Sequence, residues 1–245
     1  MYSLIATISI FTSTYLAEYI AKKEKLKFSD RLWEITLMVL LLGVIGARLY
    51  HVVDFFEFYK ANPLQIFNFR AGGLALYGGL IGGLLGGFVA SKIYSFRLAK
   101  FLDLMVIVLP LGQAIGRWGN YFNYELYGKP YEGFLKLYIP IAHRQNGFEQ
   151  IAYYHPLFFY ESFLNLLLFF VLYFLWTKKK FKIGSLNLLY IYIFGYGLIR
   201  YTLEPLRINT WAFSGAPVAS MISILFVLVG VIGFFSNILI MKGKK

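Results

Sequence analysis

Arg117, Asn120, Asn123 and Glu125 fall within nine residues, with Gln113 just before them, and all follow a long apolar run. An ion at bilayer depth costs about 2.5–3.5 kcal/mol even on a mild insertion scale. A lipid-facing helix would not carry such a group, so something must use these side chains, and an anionic lipid headgroup is the natural candidate. Arg117 and Asn120 lie one helical turn apart and face the same way, and a guanidinium can grip a phosphate with two parallel hydrogen bonds. The plainer alternative is a structural ion pair of Arg117 with Glu125, which would also orient the arginine without cancelling it. Arg200, Glu204 and Arg207 form a second group spaced i, i+4, i+7. They share one face if the helix continues that far, although Pro205 fits only near an end or a kink. Two arginines against one glutamate leave a positive excess; a salt-bridged helix end is the plainer reading.

Further candidates are spread along the chain. Arg48 is an intramembrane cation, with a structural His51 close by. Gly72, Gly73, Gly78, Gly79, Gly82, Gly83, Gly86 and Gly87 crowd one segment around Tyr77. Close helix packing accounts for Gly79, Gly83 and Gly87. Paired glycines at a helix start, among them Gly78 and Gly79, can instead leave backbone N–H groups open to an anion. Tyr77 is either an interfacial aromatic or a phenol with a chemical role. His155 precedes Pro156, which suits a helix start; its ring is either a general base or a satisfied hydrogen-bonding partner. Glu161, inside an apolar run, needs a partner.

The elements that position these groups are membrane helices. The chain has 245 residues, is 59% hydrophobic, carries a net charge of +12 and has a mean hydropathy of +0.62. That is too apolar for a soluble domain of this length and reads as an all-α, polytopic membrane protein. Seven spans are expected, at 2–21, 32–56, 72–94, 102–120, 156–176, 185–203 and 217–241, since a span needs about 20 apolar residues. Fifteen of the 24 Lys and Arg fall at alternate ends of these spans, around 22–31, 92–100, 178–182 and 242–245. The positive-inside rule then puts the N-terminus outside and the C-terminus in the cytoplasm. The same pattern argues for topology rather than nucleic-acid binding. The first span lacks a charged start and a small-residue cleavage site, so it is expected to be retained. The chain reads as one domain over 1–245. Residues 57–71 and 121–155 form the larger outer segments, and the aromatic-rich second one is expected to fold as a small cap. With no cysteine and three widely spaced histidines, no metal site and no cysteine nucleophile are expected.

Taken together, these residues resemble the bacterial phosphatidylglycerol–prolipoprotein diacylglyceryl transferase family. Its signature, Gly-Arg-x-Gly-Asn-Phe-x-Asn-x-Glu-x-x-Gly, matches GRWGNYFNYELYG at 116–128, with Tyr121 in place of Phe. GARLYHV at 46–52, GGLALYGGLIGG at 72–83, HPLFFYE at 155–161 and RYTLEPLR at 200–207 follow in the family's order. The resemblance implies a multi-pass enzyme of the bacterial cytoplasmic (inner) membrane. Such an enzyme moves the diacylglyceryl group of phosphatidylglycerol to the lipobox cysteine thiol at a prolipoprotein signal peptide. A thioether forms and glycerol phosphate leaves, with no cofactor. It implies Arg117, Asn120, Glu125, Arg200, Glu204, Arg207, Tyr77 and His155 as catalytic candidates. Phosphatidylglycerol would be bound by Arg117, Asn120, Gly128, Arg48, Gly78, Gly79 and Tyr2. Many members carry His where Tyr77 stands, which leaves His155 or an arginine-stabilised thiolate as alternatives for proton removal. The stretch before the first span and the 121–155 cap are also short for the family. The rival class is a non-catalytic lipid-binding or transport protein using the same arginines. The paired, broken helices of a transporter are not apparent.

Overall fold

The computed structural model describes residues 1–69, 72–208, 210–213 and 216–242. Arg70 and Ala71, within the 57–71 segment, and Lys244 and Lys245, within the last basic group, lie outside these. Over the described residues the helices are α1 (Tyr2–Lys23), α2 (Leu32–Asp54), α3 (Phe56–Ala61), α4 (Leu76–Ile93), α5 (Leu98–Phe122), α6 (Leu157–Thr177), α7 (Asn187–Leu203) and α8 (Val218–Lys242). In lipid a helix satisfies its own backbone, which is why apolar runs of this length take that form. Among the described residues six helices are long and apolar enough to cross a membrane: α1, α2, α4, α5, α6 and α8. The seventh expected span corresponds to α7, which has only 17 residues. At 1.5 Å per residue it is a little shorter than the roughly 30 Å of a bilayer's hydrocarbon core. The short α3 lies within residues expected to form an outer segment.

The chain divides into two compact units, Glu18–Phe101 and a larger one made of Met1–Ala17 with Leu102–Lys245. In the smaller unit α2 and α4 cross backbone to backbone. A Cβ on Gly46 would lie 2.5 Å from the Gly78 carbonyl oxygen, and one on Gly86 would lie 2.8 Å from Val39 Cα. A Cβ on Gly82 would run into the Leu42 carbonyl. The crossing stripe is therefore Gly78, Gly82 and Gly86, one residue out of phase with the expected Gly79, Gly83 and Gly87. Gly79 and Gly83 meet only ordinary contacts, at 3.7 Å or more, whereas a Cβ on Gly87 would lie 2.9 Å from the Phe101 ring on α5, so Gly87 does serve close packing.

In the larger unit Ser9 on α1 donates to the Gly112 carbonyl on α5 at 2.6 Å. Ser162 on α6 donates to the Ala114 carbonyl on α5 at 2.8 Å. Gly197 and Gly230 let α7 and α8 meet closely, against Phe226 and Phe194 respectively. Asp103, fully buried near the start of α5, accepts from the N–H groups of Gly184 and Leu186 at 2.8 Å and of Leu189 at 3.0 Å. It thus caps α7 from another helix and holds Leu186 at a left-handed φ of 67°. Residues 123–156 (hereafter the cap), most of the 121–155 stretch expected to form one, fold outside the long helices. A hairpin of β1 (Leu137–Tyr138) and β2 (Tyr153–Tyr154) covers a core of Tyr127, Ile139 and Tyr154. We expect Asp103→Ala to cost about 1–3 kcal/mol, because three buried N–H groups lose their acceptor. Thermal unfolding in detergent measures this, and an unchanged midpoint would show that the cap is dispensable.

Candidate active site

In the larger unit α5, α6 and the end of α7 bring five charged residues to one place. Arg117 on α5 donates from Nη2 to Glu161 Oε1 on α6 at 2.6 Å. Arg207, just past α7, lies 3.4 Å from the other carboxylate oxygen of Glu161. Its Nε is also 3.4 Å from Glu204 Oε2, and Arg200 Nη2 is 2.9 Å from that same oxygen. The result is a chain of alternating charge, Arg117–Glu161–Arg207–Glu204–Arg200, with three cations and two anions. The glutamate side chains are 3% exposed, whereas Arg117 and Arg200 keep 24% and 25% exposure. The carboxylates are therefore buried supports, and the guanidiniums retain an accessible edge. Glu204 Oε2 and Arg207 Nε sit within ion-pair distance but lack a well-angled hydrogen bond.

Two local features bring Arg207 into this chain. Helix α7 stops at Leu203 and tightens into a 3₁₀ turn over Glu204–Leu206, which accommodates Pro205. Arg207 is then extended and bridges Gly128 of the cap. The Gly128 N–H donates to the His155 carbonyl at 2.8 Å, and the Lys129 N–H to the Leu206 carbonyl at 2.7 Å. A Cβ at Gly128 would lie 2.7 Å from the Leu206 oxygen and 2.8 Å from His155 Cβ. Only glycine lets these three segments meet, which gives Gly128 a structural reason to be glycine.

Other candidates fall around this chain. Asn120 is buried, and its Oδ1 lies 3.5 Å from Arg117 Nη1. Glu125 does not pair with Arg117, as sequence alone had suggested; it is exposed and accepts from Asn123 at 3.2 Å. The Tyr2 ring covers Gly119 so closely that a Cβ there would come within 2.8 Å of it. Tyr196 lies within electrostatic reach of Glu161, Arg117, Arg200 and Arg207. An apolar groove of about 380 Å³ in the same unit is lined by apolar residues and Ser162, among them Ile5, Ile8, Ile115, Trp118 and Leu166; no arginine lines it. In the cap, the His155 ring stacks on Tyr131 at 3.9 Å, and its Nδ1 is 3.4 Å from the Tyr160 hydroxyl. Burial holds the His155 pKa below the usual histidine value, so the ring is neutral at neutral pH.

The remaining candidates belong to the smaller unit. Arg48 is 3% exposed and spends all five N–H donors on backbone carbonyls: those of Gln65, Ile66, Asn68, Gly72 and Gly73. Tyr59 and Phe69 cover the guanidinium at 5.2 and 5.4 Å. With all five donors engaged on Gln65, Ile66, Asn68, Gly72 and Gly73, Arg48 holds those residues in place, which argues for a structural part rather than the expected lipid-binding one. Gly72 and Gly73, at φ of 84° and 75°, turn their carbonyls toward it. Gly78 and Gly79 do not form an open anion nest either. Gly78 is taken up in the helix crossing, and the Gly79 N–H donates to the Ala75 carbonyl. Tyr77 opens α4 beside Tyr50, with ring centroids 6.3 Å apart, and is 40% exposed.

Glu161 is the residue that sequence reasoning left without a role; the signal was a lone carboxylate inside an apolar run. We expect Glu161→Ala to destabilise the larger unit by about 3 kcal/mol, because it strands two partly buried guanidiniums. Thermal unfolding beside Glu161→Gln separates lost charge from lost volume; equal midpoints for both variants and the parent would refute the support role.

The chain matches the family described as prolipoprotein diacylglyceryl transferase over residues 1–236. It is 36% identical over 204 residues to the phosphatidylglycerol–prolipoprotein diacylglyceryl transferase of Fervidobacterium nodosum, covering 83% of this chain and 69% of that one. The enzyme of the same name from Thermotoga maritima is 35% identical over 237 residues, with 95% and 79% covered. That of Clostridium botulinum (strain Loch Maree) is 34% identical over 244 residues, with 100% and 94% covered. With a family match across almost its whole length and relatives of this similarity, the chain belongs to the prolipoprotein diacylglyceryl transferase family.

Proposed function

We propose that this protein transfers the diacylglyceryl group of phosphatidylglycerol to the lipobox cysteine thiol of prolipoproteins, in a bacterial cytoplasmic membrane. The single observation that carries the chemistry is the Arg117–Glu161–Arg207–Glu204–Arg200 chain. Its excess of one positive charge suits a phosphodiester anion, and it sits on family motifs. As the sulfur–carbon bond forms, the carbon–oxygen bond to phosphate breaks and the electron pair leaves on the phosphate oxygen. Negative charge therefore grows on the leaving group, where prearranged arginines in a dry site act most strongly. Arg117, Arg200 and Arg207 hold that charge, Glu161 and Glu204 hold the arginines, and Asn120 steadies Arg117. The apolar groove lined by Ile5, Ile115 and Trp118 suits an acyl chain of the donor.

The thiol, with an ordinary pKa of about 8.5, must give up a proton. We assign it to His155: with Nδ1 turned to Tyr160, Nε2 is the ring nitrogen left to accept it. The resemblance also keeps the Tyr77 phenol as a catalytic candidate, to be tested by substitution. In this proposal α7 completes seven spans, with the N-terminus outside and the basic segments in the cytoplasm; the cap then lies on the outer face, where secreted acceptors arrive.

The test combines purified protein, phosphatidylglycerol and a lipobox peptide, with mass spectrometry of the peptide. A diacylglyceryl adduct on the cysteine, absent from a Cys→Ser peptide, is expected; no adduct from a folded preparation overturns the proposal. Arg117→Ala should abolish transfer while the protein stays folded, and Tyr77→Phe should slow it while Tyr77→His is tolerated. The pH profile tests the base. Because the His155 pKa is lowered, the ring stays neutral down to a pH below about 6.5. Acid should then depress kcat/KM as the ring becomes protonated, and His155→Gln should remove that limb. An acid limb that persists in the variant would assign the proton to another group.

A further inference from the structure

The charged chain has a second, uncharged tier beneath it. Gln113 lies one helical turn from Arg117 on α5, Asn165 one turn from Glu161 on α6, and Tyr192 one turn from Tyr196 on α7. The register between the helices is fixed by two contacts, Arg117 with Glu161 and Ser162 with the Ala114 carbonyl. Moving from Arg117 to Gln113 along α5 therefore runs in the same direction as moving from Glu161 to Asn165 along α6. Gln113 donates from Nε2 to the Tyr192 hydroxyl at 3.0 Å, and Tyr192 stacks on Tyr196 at 5.9 Å. The two tiers are thus one turn apart, about 5.4 Å along the helix axis.

This lower tier is incompletely satisfied. Asn165 is 1% exposed and donates from Nδ2 to the Glu161 carbonyl, yet its Oδ1 is buried without a partner. Gln113 Oε1 is likewise buried and unpartnered, and so is Ser13 Oγ, which lies against Gly112. Orphaned acceptors inside a membrane protein are costly, because lipid offers no donor in exchange. Both amide oxygens can only accept, so whatever completes them must donate.

We propose that this tier reads the headgroup of the lipid donor: Gln113 and Asn165 accept hydrogen bonds from the hydroxyls of the glycerol esterified to the phosphate that the arginines hold. The proposal rests on the transferase reading and adds the specificity-determining residues to it. A three-carbon diol arm is long enough to bridge one turn of helix from phosphate to hydroxyl. An ammonium headgroup would also donate, but it would enter beside three arginines balanced by only two glutamates. The charged tier thus selects the phosphate and disfavours a cation, and the neutral tier asks for hydroxyls.

The test compares donors with identical acyl chains in the adduct assay: phosphatidylglycerol, phosphatidyl-n-propanol, which lacks both headgroup hydroxyls, and phosphatidylethanolamine. Wild-type protein should favour phosphatidylglycerol over the propanol ester by about tenfold or more in kcat/KM, since a site built to pair a hydroxyl rejects the analogue without it. In Asn165→Leu and Gln113→Leu the ratio between these two donors should fall toward one. The wild-type comparison needs no variant to fold. Equal use of the first two lipids by wild type, or equal use of phosphatidylethanolamine, overturns the proposal. So does an unchanged donor ratio in folded variants, which is the result expected if the tier merely holds water or packs the helices. Absence of any adduct from phosphatidylglycerol with wild type would instead defeat the transferase reading.

Discussion

Glu161 is the pivot of the larger unit. A carboxylate inside an apolar helix is tolerable only if cations meet it there, and Arg117 and Arg207 do so from two other elements. Each arginine is in turn tolerable because Glu161 and Glu204 receive it. Burying such pairs rarely adds net stability, while removing one partner is expensive. The arrangement is better understood as fixing where guanidiniums stand than as holding the fold together. Three cations on two anions cannot be fully neutralised from within, and that remainder makes the site receptive to an anion.

The rest of the unit keeps this geometry in place. Gly128 lets the cap touch both the end of α7 and the approach to α6, so Arg207 is drawn out of the helix and back toward Glu161. The break at Pro205, costly inside a helix, here serves that redirection. The smaller unit solves a different problem with similar means. Arg48 is buried with no carboxylate partner among the described residues, and five carbonyls with two aromatic rings take the place of a counterion. The same residue type therefore plays opposite parts in the two units, and only the inventory of its donors distinguishes them.

Much of this was legible in the sequence because membrane helices impose simple rules. Apolar runs located the spans, and the motif residues Arg117, Asn120, Arg200, Glu204 and Arg207 could be singled out one by one. What stayed hidden was pairing between distant segments. Arg117 and Glu161 are 44 residues apart, so the nearer Glu125 looked the better partner. The glycine stripe had two possible phases, both with a four-residue period, and only the position of α2 selects Gly78, Gly82 and Gly86. Arg48 looked like an anion ligand because the carbonyls that occupy it come from a segment whose path depends on Gly72 and Gly73 at positive φ. In each case the sequence held the residue, and the decision lay in a partner that proximity along the chain does not identify.

Asp103 has a consequence for biogenesis. Its carboxylate is satisfied by N–H groups 81 to 86 residues later in the chain. While the protein is being synthesised, α5 must therefore be delivered to the membrane before the groups that complete it exist. Until the start of α7 emerges, that end of α5 has to remain in contact with water or with the insertion machinery. Insertion of the larger unit is consequently not a series of independent helix transfers: α5 can settle only when α7 arrives, and the order of translation becomes part of how the arginines come to be aligned.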